Sequence, residues 1–418
     1  MSTQVVIVGG GIIGLCSAYY CAKAGLKVTV LDRNSEERDG CSFGNAGMIV
    51  PSHFVPLAAP GMVALGLKWM WNPESPFYIR PRLDADLIAW AYRFWKASTP
   101  RRVEKAAPLL RDLSLASRAA FETLANLPQT DFGLVRQGLL MLCKSQHTLD
   151  EEAVAAEKAR RLGIPATVLD AKQTAVLDPN VRMEIAGAIH FPLDCHLNPN
   201  RFMACLKQEL DRLGCRFLWK TEVTGWKTSD GRIHSAVTSL GEITADEFVL
   251  CGGSWSPSTA ADLGLHLPIQ AGKGYSLTLT APRQLPRICA IFSEARVAVT
   301  PMGSSLRFGG TMELSGLTEE IDPRRVQGII KSIPRYYPEF EPSDFTGIQP
   351  WRGLRPCSPD GLPYIGRTRS QANLTIASAH AMMGLTLGPV TGQMVAACLT
   401  GEKTGWESEL LSPDRHRW

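Results

Sequence analysis

The sequence has no C-x-x-C pair, no run of like charges, no low-complexity tract and no repeat at solenoid spacing. These absences exclude a zinc ribbon, a charged tail, a disordered linker and a stacked-repeat architecture. The 11 cysteines are odd in number and scattered, and no His/Cys cluster has metal spacing. No metal site is expected, and the thiols read as buried and reduced. Net charge is scarce too: 44 Lys and Arg against 40 Asp and Glu leave +4 on 418 residues. That is too little to mark a nucleic-acid-binding surface. The Met-Ser-Thr-Gln start carries no basic region before an apolar stretch, so no signal peptide is expected and the cytoplasm is the expected location. The long uncharged run 370–401 contains Gly384, Gly388, Pro389 and Gly392. It reads as a buried strand, a turn and a helix, not as a membrane span.

What is present is an ordinary globular composition, 45% apolar and 20% charged. The length fits roughly two to three domains of about 150 residues. Residues 5–8 form an apolar strand, 12–24 a helix of small and apolar residues, and 27–31 a second strand, a complete β-α-β opening. Leu87, Ile88, Ala91, Phe94 and Trp95 recur at helical spacing, and a long helix is expected through 109–127. Residues 138–143 read as strand and 151–162 as a helix closed by Gly163. Residues 199–213 read as a helix with Pro199 in its first turn and Gly214 at its end. Asp230-Gly231 marks a hairpin turn, residues 268–310 alternate as β-sheet does, and the tail returns to strand and helix. The fold class is α/β: a discontinuous nucleotide-binding domain with a second, sheet-rich domain inserted.

The chemistry begins at Gly9-Gly10-Gly11-Ile12-Ile13-Gly14, a G-x-G-x-x-G placed after a strand and opening a helix. Gly9 permits the tight turn, Gly11 lets the backbone approach a pyrophosphate, and Gly14 lets helix and strand pack closely. The helix N-terminus offers free N–H groups and a positive dipole end to phosphates. Asp32 closes the second strand 18 residues beyond Gly14, where its carboxylate suits a ribose hydroxyl. This is a dinucleotide site; the motif alone does not separate FAD from NAD.

Several further segments resemble the FAD-dependent D-amino acid dehydrogenases of the D-amino acid oxidase and glycine oxidase superfamily. They are Ser42-Phe43-Gly44-Asn45-Ala46-Gly47, Gly274-Tyr275, Gly353-Leu354-Arg355-Pro356 with Ser358-Pro359-Asp360-Gly361, and His380 to Gly384 running into Gly388-Pro389-Val390-Thr391-Gly392. The likeness runs nearly end to end and keeps motif order. It implies non-covalent FAD in a Rossmann-like domain built from 1–58, 148–180, 200–262 and 347–418. A mixed, largely antiparallel β-sheet substrate domain flanked by helices would then comprise 59–147, 181–199 and 263–346.

The resemblance also implies roles. The glycine-rich turn (Gly9, Gly11, Ile12, Ile13, Gly14) with Asp32 and Arg33 takes the adenosine and pyrophosphate. Ser42, Asn45, Ala46, Gly47 and Met48 lie along the flavin, Val223 covers the adenine, and Cys251, Gly252 and Trp255 form a turn near the pyrophosphate. Gly384, Leu385 and Thr386 lead the last helix to the flavin, where a positive dipole end stabilises negative charge. Val223 fits a core valine as well, and the two turns fit purely structural ones. Arg355, also placed beside the cofactor, is the arginine that clamps the substrate carboxylate through two parallel hydrogen bonds. Arg352 is the weaker substitute. Tyr275 and Tyr364 are candidate hydroxyl donors and His53 and His380 candidate bases, although each also fits a satisfied structural residue. Met382 stands where glycine oxidase has a second arginine, so the Met382-Met383 pair reads as an apolar wall.

The expected reaction is oxidation of an amino acid, of D configuration and of D-proline or D-hydroxyproline type, to its imino acid. Electrons would pass to a quinone or other carrier. The alternatives are a glycine- or sarcosine-type oxidase using oxygen, and a non-catalytic FAD-binding protein. The cluster Met62, Val63, Leu65, Leu67, Trp69, Met70 and Trp71 beside Lys68 fits either a peripheral membrane contact on the inner face of the cytoplasmic membrane or a buried interface.

Overall fold

A computed structural model describes residues 2–70, 72, 74–406 and 408–416. Val5, Val6, Ile7 and Val8 make the strand Gln4–Val8, buried on both faces as an internal parallel strand must be. The helix Ile12–Lys23 is buried over most of its circumference, which its small and apolar residues permit. It returns the chain to the strand Lys27–Leu31, parallel to the first. Six strands form this sheet in the order Tyr364–Arg367, Leu374–Ser378, Glu247–Leu250, Gln4–Val8, Lys27–Leu31 and Arg216–Leu218. Only Tyr364–Arg367 runs antiparallel to its neighbour. The helices Pro199–Arg212 and Gly388–Thr400 pack on Ile12–Lys23. Gly392 makes one contact possible, since a Cβ there would meet the Cys16 carbonyl oxygen at 2.5 Å. An antiparallel trio, Val223–Ser229, Arg232–Thr238 and Gly241–Thr244, stands apart. Asp230 and Gly231 turn its first hairpin with φ of +51° and +70°, the mirror-image turn that Asp-Gly favours.

A second, nine-stranded sheet carries Trp351–Cys357 at one edge, then Gln270–Leu279, Ser305–Leu314, Val297–Met302, Cys289–Phe292, Leu139–Cys143, Gly187–Phe191 and Thr167–Asp170, with Phe77–Ile79 beside Ser305–Leu314. It is mixed: Leu139–Cys143 runs parallel to Cys289–Phe292, while Gly187–Phe191 runs antiparallel. The helix Pro323–Tyr336 covers one face with Val326, Ile329, Ile330 and Ile333, and Tyr336 stacks on Phe292 at 4.2 Å. The short pair Met48–Ile49 and Cys195–His196 lies outside both sheets.

Two segments sit differently from the expected division. Thr167–Asp170 pairs with Gly187–Phe191, so the stretch 148–180 joins the larger sheet and not the cofactor sheet. Trp351–Cys357 pairs with Gln270–Leu279, although the rest of 347–418 contributes strands and a helix to the cofactor side. Strand pairing is set by partners far along the chain, which local pattern does not reveal.

The helix Ala85–Ala97 buries Leu87 and Trp90, while Ile88 and Trp95 of the expected apolar stripe are 61% exposed. Both faces carry aromatic residues, and the tertiary partner decides which is covered. In the helix Met62–Trp69 Gly66 meets Phe77 and Leu67 is exposed; Trp71 lies outside the described residues. Among the described residues no helix is long and apolar enough to cross a membrane. Nor do three or more His, Cys, Asp or Glu residues gather there as a metal site.

Candidate active site

The turn after Gln4–Val8 is built by close approach. Gly9 has φ +112°, and a Cβ on it would strike the Cys251 carbonyl, while one on Gly14 would strike the Gly9 carbonyl. At Gly11 the space is open, with Ser42 Oγ the nearest atom at 3.5 Å. Gly11 has no side chain to cap the helix; Ser42 Oγ instead accepts the Ile12 N–H at 3.0 Å, a cap brought from another loop. Asp32 accepts the Gly10 and Asn34 N–H groups, each at 2.8 Å. Arg38 Nε donates to the Gly10 carbonyl at 3.1 Å, 3.9 Å from Asp32, with its guanidinium 4.3 Å above the Trp219 ring. Burial lowers its pKa, and Asp32 opposes that shift.

A cavity of about 500 Å³ runs from this turn towards the larger sheet. On its Asp32 side stand Arg33, Val223, Trp255 and Asp262, with the Arg33 guanidinium 3.9 Å above the Trp255 indole. Gly9, Gly11, Ile12, Ile13, Ser42, Cys251 and Gly252 line it as well, as do Asn45, Arg355, His380, Gly384 and Leu385. Gly14, Ala46, Gly47, Met48 and Thr386 do not line it. Gly47, at φ +76°, packs against the Leu197 carbonyl, and Thr386 Oγ1 donates to the Met48 carbonyl and accepts the Val50 N–H, both at 3.3 Å.

Arg355 stands on the edge strand Trp351–Cys357. Its guanidinium lies across Gly274, where any Cβ would overlap it, and Nη1 donates to the Thr311 carbonyl at 2.7 Å. No carboxylate among the described residues pairs with it. Arg352, in contrast, is spent on Asp39 at 2.5 Å and Glu319 at 2.7 Å. The site thus presents, on the wall of a cavity lined by a glycine-rich helix start, a guanidinium with no carboxylate partner among the described residues.

Residues 4–398 match the DAO family of FAD-dependent oxidoreductases. The chain belongs to this family. FAD is its cofactor, and the residues fit it: Gly9 and Gly11 of the glycine-rich turn line the cavity, a Cβ at Gly11 would still have room, and both Asp32 and Arg355 stand on the cavity walls. Curated relatives include proteins named D-amino acid dehydrogenase from Bradyrhizobium diazoefficiens, 32% identical over 99% of both chains, and from Allorhizobium ampelinum, 32% identical over 99% of this chain and 98% of that one. Among solved structures, glycine oxidase from Geobacillus kaustophilus superposes with a TM-score of 0.79 at 22% identity over 100% of both chains. L-proline dehydrogenase from P. horikoshii gives 0.74 at 18% over 99% of this chain and 97% of that one. These establish a shared fold.

Three expected pocket residues, Tyr275, Tyr364 and His53, do not line the cavity. Tyr275 is 1% exposed and donates to Glu313 Oε2 at 2.6 Å, away from the cavity. Tyr364 is buried in the core beneath the Arg415 guanidinium, 4.0 Å from its ring. His53 Nδ1 lies 2.9 Å from Ser52 Oγ, which donates to Asp194 at 2.5 Å; burial pushes its pKa down to about 4. Each is an ordinary core residue in type, and which surface it faces depends on distant chain. Met382 is 53% exposed and forms no wall. His380 does line the cavity. Its Nε2 lies 3.0 Å from Thr391 Oγ1, burial pushes its pKa down to about 3, and Ala379 and Ala381 beside it have φ of +63° and +48°.

Sequence reasoning missed Arg38, Cys41 and Arg307. Cys41 lines the cavity; burial raises its thiol pKa and Arg355 works against that. Arg307 reaches from the larger sheet to donate to the Phe43 and Asn45 carbonyls at 3.1 and 2.8 Å, pinning the 42–47 loop. No local spacing marks either arginine.

Proposed function

We propose that the protein oxidises a small amino acid of D configuration to its imino acid. The observation that carries this reading is Arg355, a cavity guanidinium without a carboxylate partner. The relatives named D-amino acid dehydrogenase, alike over the full length, support the substrate class. Bound FAD supplies an acceptor for the two electrons and hydrogen leaving Cα. The chain supplies position: Arg355 holds the substrate carboxylate in a two-bond fork, so that Cα–H faces the cofactor at near-attack distance. Thr311 fixes one guanidinium nitrogen and leaves the others for substrate. His380, held neutral, adds no positive charge to repel an incoming amine. Among the described residues no carboxylate pairs with Arg355, which leaves its charge for the substrate carboxylate. The imino acid then hydrolyses to a 2-oxo acid, or persists as a cyclic pyrroline when the substrate is proline-like.

The core beside the Arg355 strand is apolar: Met312, next to Thr311, and Cys357, two residues beyond Arg355, cluster with Trp90, Phe94 and Leu57. That surrounding supports a compact side chain such as that of D-proline or D-hydroxyproline. Electrons pass onward to a quinone or other carrier. An exposed stripe of Ile88, Tyr92 and Trp95, with Leu67 also exposed, supports a peripheral membrane contact at which a quinone is met. Anaerobic bleaching of the flavin by a panel of D- and L-amino acids tests the reading: D-proline and other small D-amino acids bleach it and L-isomers do not. Hydrogen peroxide produced at the rate of dye reduction would favour the oxidase alternative.

A further inference from the structure

A buried charge cluster stands behind Arg355. Between Gln270–Leu279 and Ser305–Leu314, Lys273 pairs with Glu313 and Tyr275 with Gly310. Thr311 and Met312 therefore share the place opposite Gly274, a bulge. Thr311 has φ +68°, a left-handed conformation that costs a β-branched residue and persists only where its surroundings enforce it. Its carbonyl is the one that accepts from Arg355.

Gly274 faces Arg355, so by strand alternation Lys273 and Tyr275 project from the opposite face. There Tyr275 Oη donates to Glu313 at 2.6 Å and accepts the Asp322 N–H at 3.2 Å. Lys273 Nζ stands 3.3 Å from Glu313 and donates to the Glu320 carbonyl at 2.7 Å. Lys273 and Glu313 are 2% and 5% exposed. A buried pair of this kind contributes little net stability over an apolar replacement, so fixed geometry is its better-supported use here. Burial and Glu313 raise the Tyr275 pKa, so its hydroxyl stays a donor.

We propose that Lys273, Tyr275 and Glu313 are positioning residues: they brace the Thr311 bulge from behind and so aim Arg355 at the substrate carboxylate. The inference rests on reading Arg355 as the carboxylate anchor. The test uses FAD-loaded enzyme, with benzoate affinity read from the flavin spectrum and kcat and KM determined separately. Tyr275→Phe and Glu313→Gln should each raise KM and the benzoate Kd about tenfold, the scale of one hydrogen bond to a charged group, with kcat and flavin content changing far less. In an Arg355→Ala background, Tyr275→Phe should have no further effect on benzoate affinity, because the brace acts through Arg355. If Glu313→Gln fails to fold, Tyr275→Phe, which removes only a hydroxyl, decides. Wild-type benzoate affinity and KM in Tyr275→Phe, with Arg355→Ala impaired, would overturn the brace and leave the anchor standing. Wild-type affinity in Arg355→Ala would overturn the anchor and the brace together.

Discussion

Asp360 and Arg415 close a two-bond ion pair, with Nε–Oδ2 at 2.8 Å and Nη2–Oδ1 at 2.9 Å, both side chains under 10% exposed. It fastens the C-terminal tail to the turn that follows the Arg355 strand. Asp360→Asn leaves a buried guanidinium without its counter-charge, and loss of about 3–5 kcal/mol is expected, measured by urea unfolding of FAD-saturated protein. Burial by itself would raise the Asp360 pKa, but Arg415 outweighs it and holds the carboxyl well below its usual range. Its contribution is therefore present above the ordinary carboxylate pKa of about 4 and is lost only as pH falls through the depressed folded value. The wild-type stability advantage over Asp360→Asn should survive mild acid.

Asp194 gives the opposite sign. Burial pushes its carboxyl up to about 7, against the pull of the Ser52 hydrogen bonds. The folded state then binds more protons than the unfolded one between about pH 4 and 7, so stability falls as pH rises through that window. Asp194→Asn should flatten this part of the thermal-midpoint profile. An unchanged slope would place the titration elsewhere.

Gly274→Ala puts a methyl group where the Arg355 guanidinium lies. Displacing the anchor by about 1 Å should cost about 10²-fold in kcat/KM, with flavin content unchanged. Parallel loss of flavin would point to a broader collapse of the strand.

Asp32→Ala removes the acceptor of the Gly10 and Asn34 N–H groups along with the acid proposed for the ribose. The purified variant should be poor in FAD and regain activity with excess cofactor. A fully yellow variant would contradict the assignment.

The glycine-rich turn, its helix and Asp32 were legible because strand, turn and acid follow one another within a short stretch of chain. The place of Arg355 on the cavity was legible through its Gly-Leu-Arg-Pro setting, and the Asp230-Gly231 turn through its chemistry. Tyr275 was not: its type is compatible with a pocket or a core, and only the pairing of Lys273 with Glu313 sets which face it takes. Arg38 and Arg307 gain their roles from contacts 28 and more than 260 residues away, which no local pattern encodes. The same reason hid the attachment of Thr167–Asp170 to the larger sheet.

If Arg355 anchors the substrate carboxylate as proposed, kcat/KM for flavin reduction by D-proline in Arg355→Ala shows it most directly. Loss of a buried charged partner costs roughly 2–5 kcal/mol, so a fall of about 10²–10³-fold or more is predicted at about 1.4 kcal/mol per decade. Flavin content should stay normal, and Arg355→Lys should recover only part, since an ammonium lacks the planar fork. An Arg355→Ala enzyme that keeps its flavin and near-wild-type kcat/KM would contradict the account.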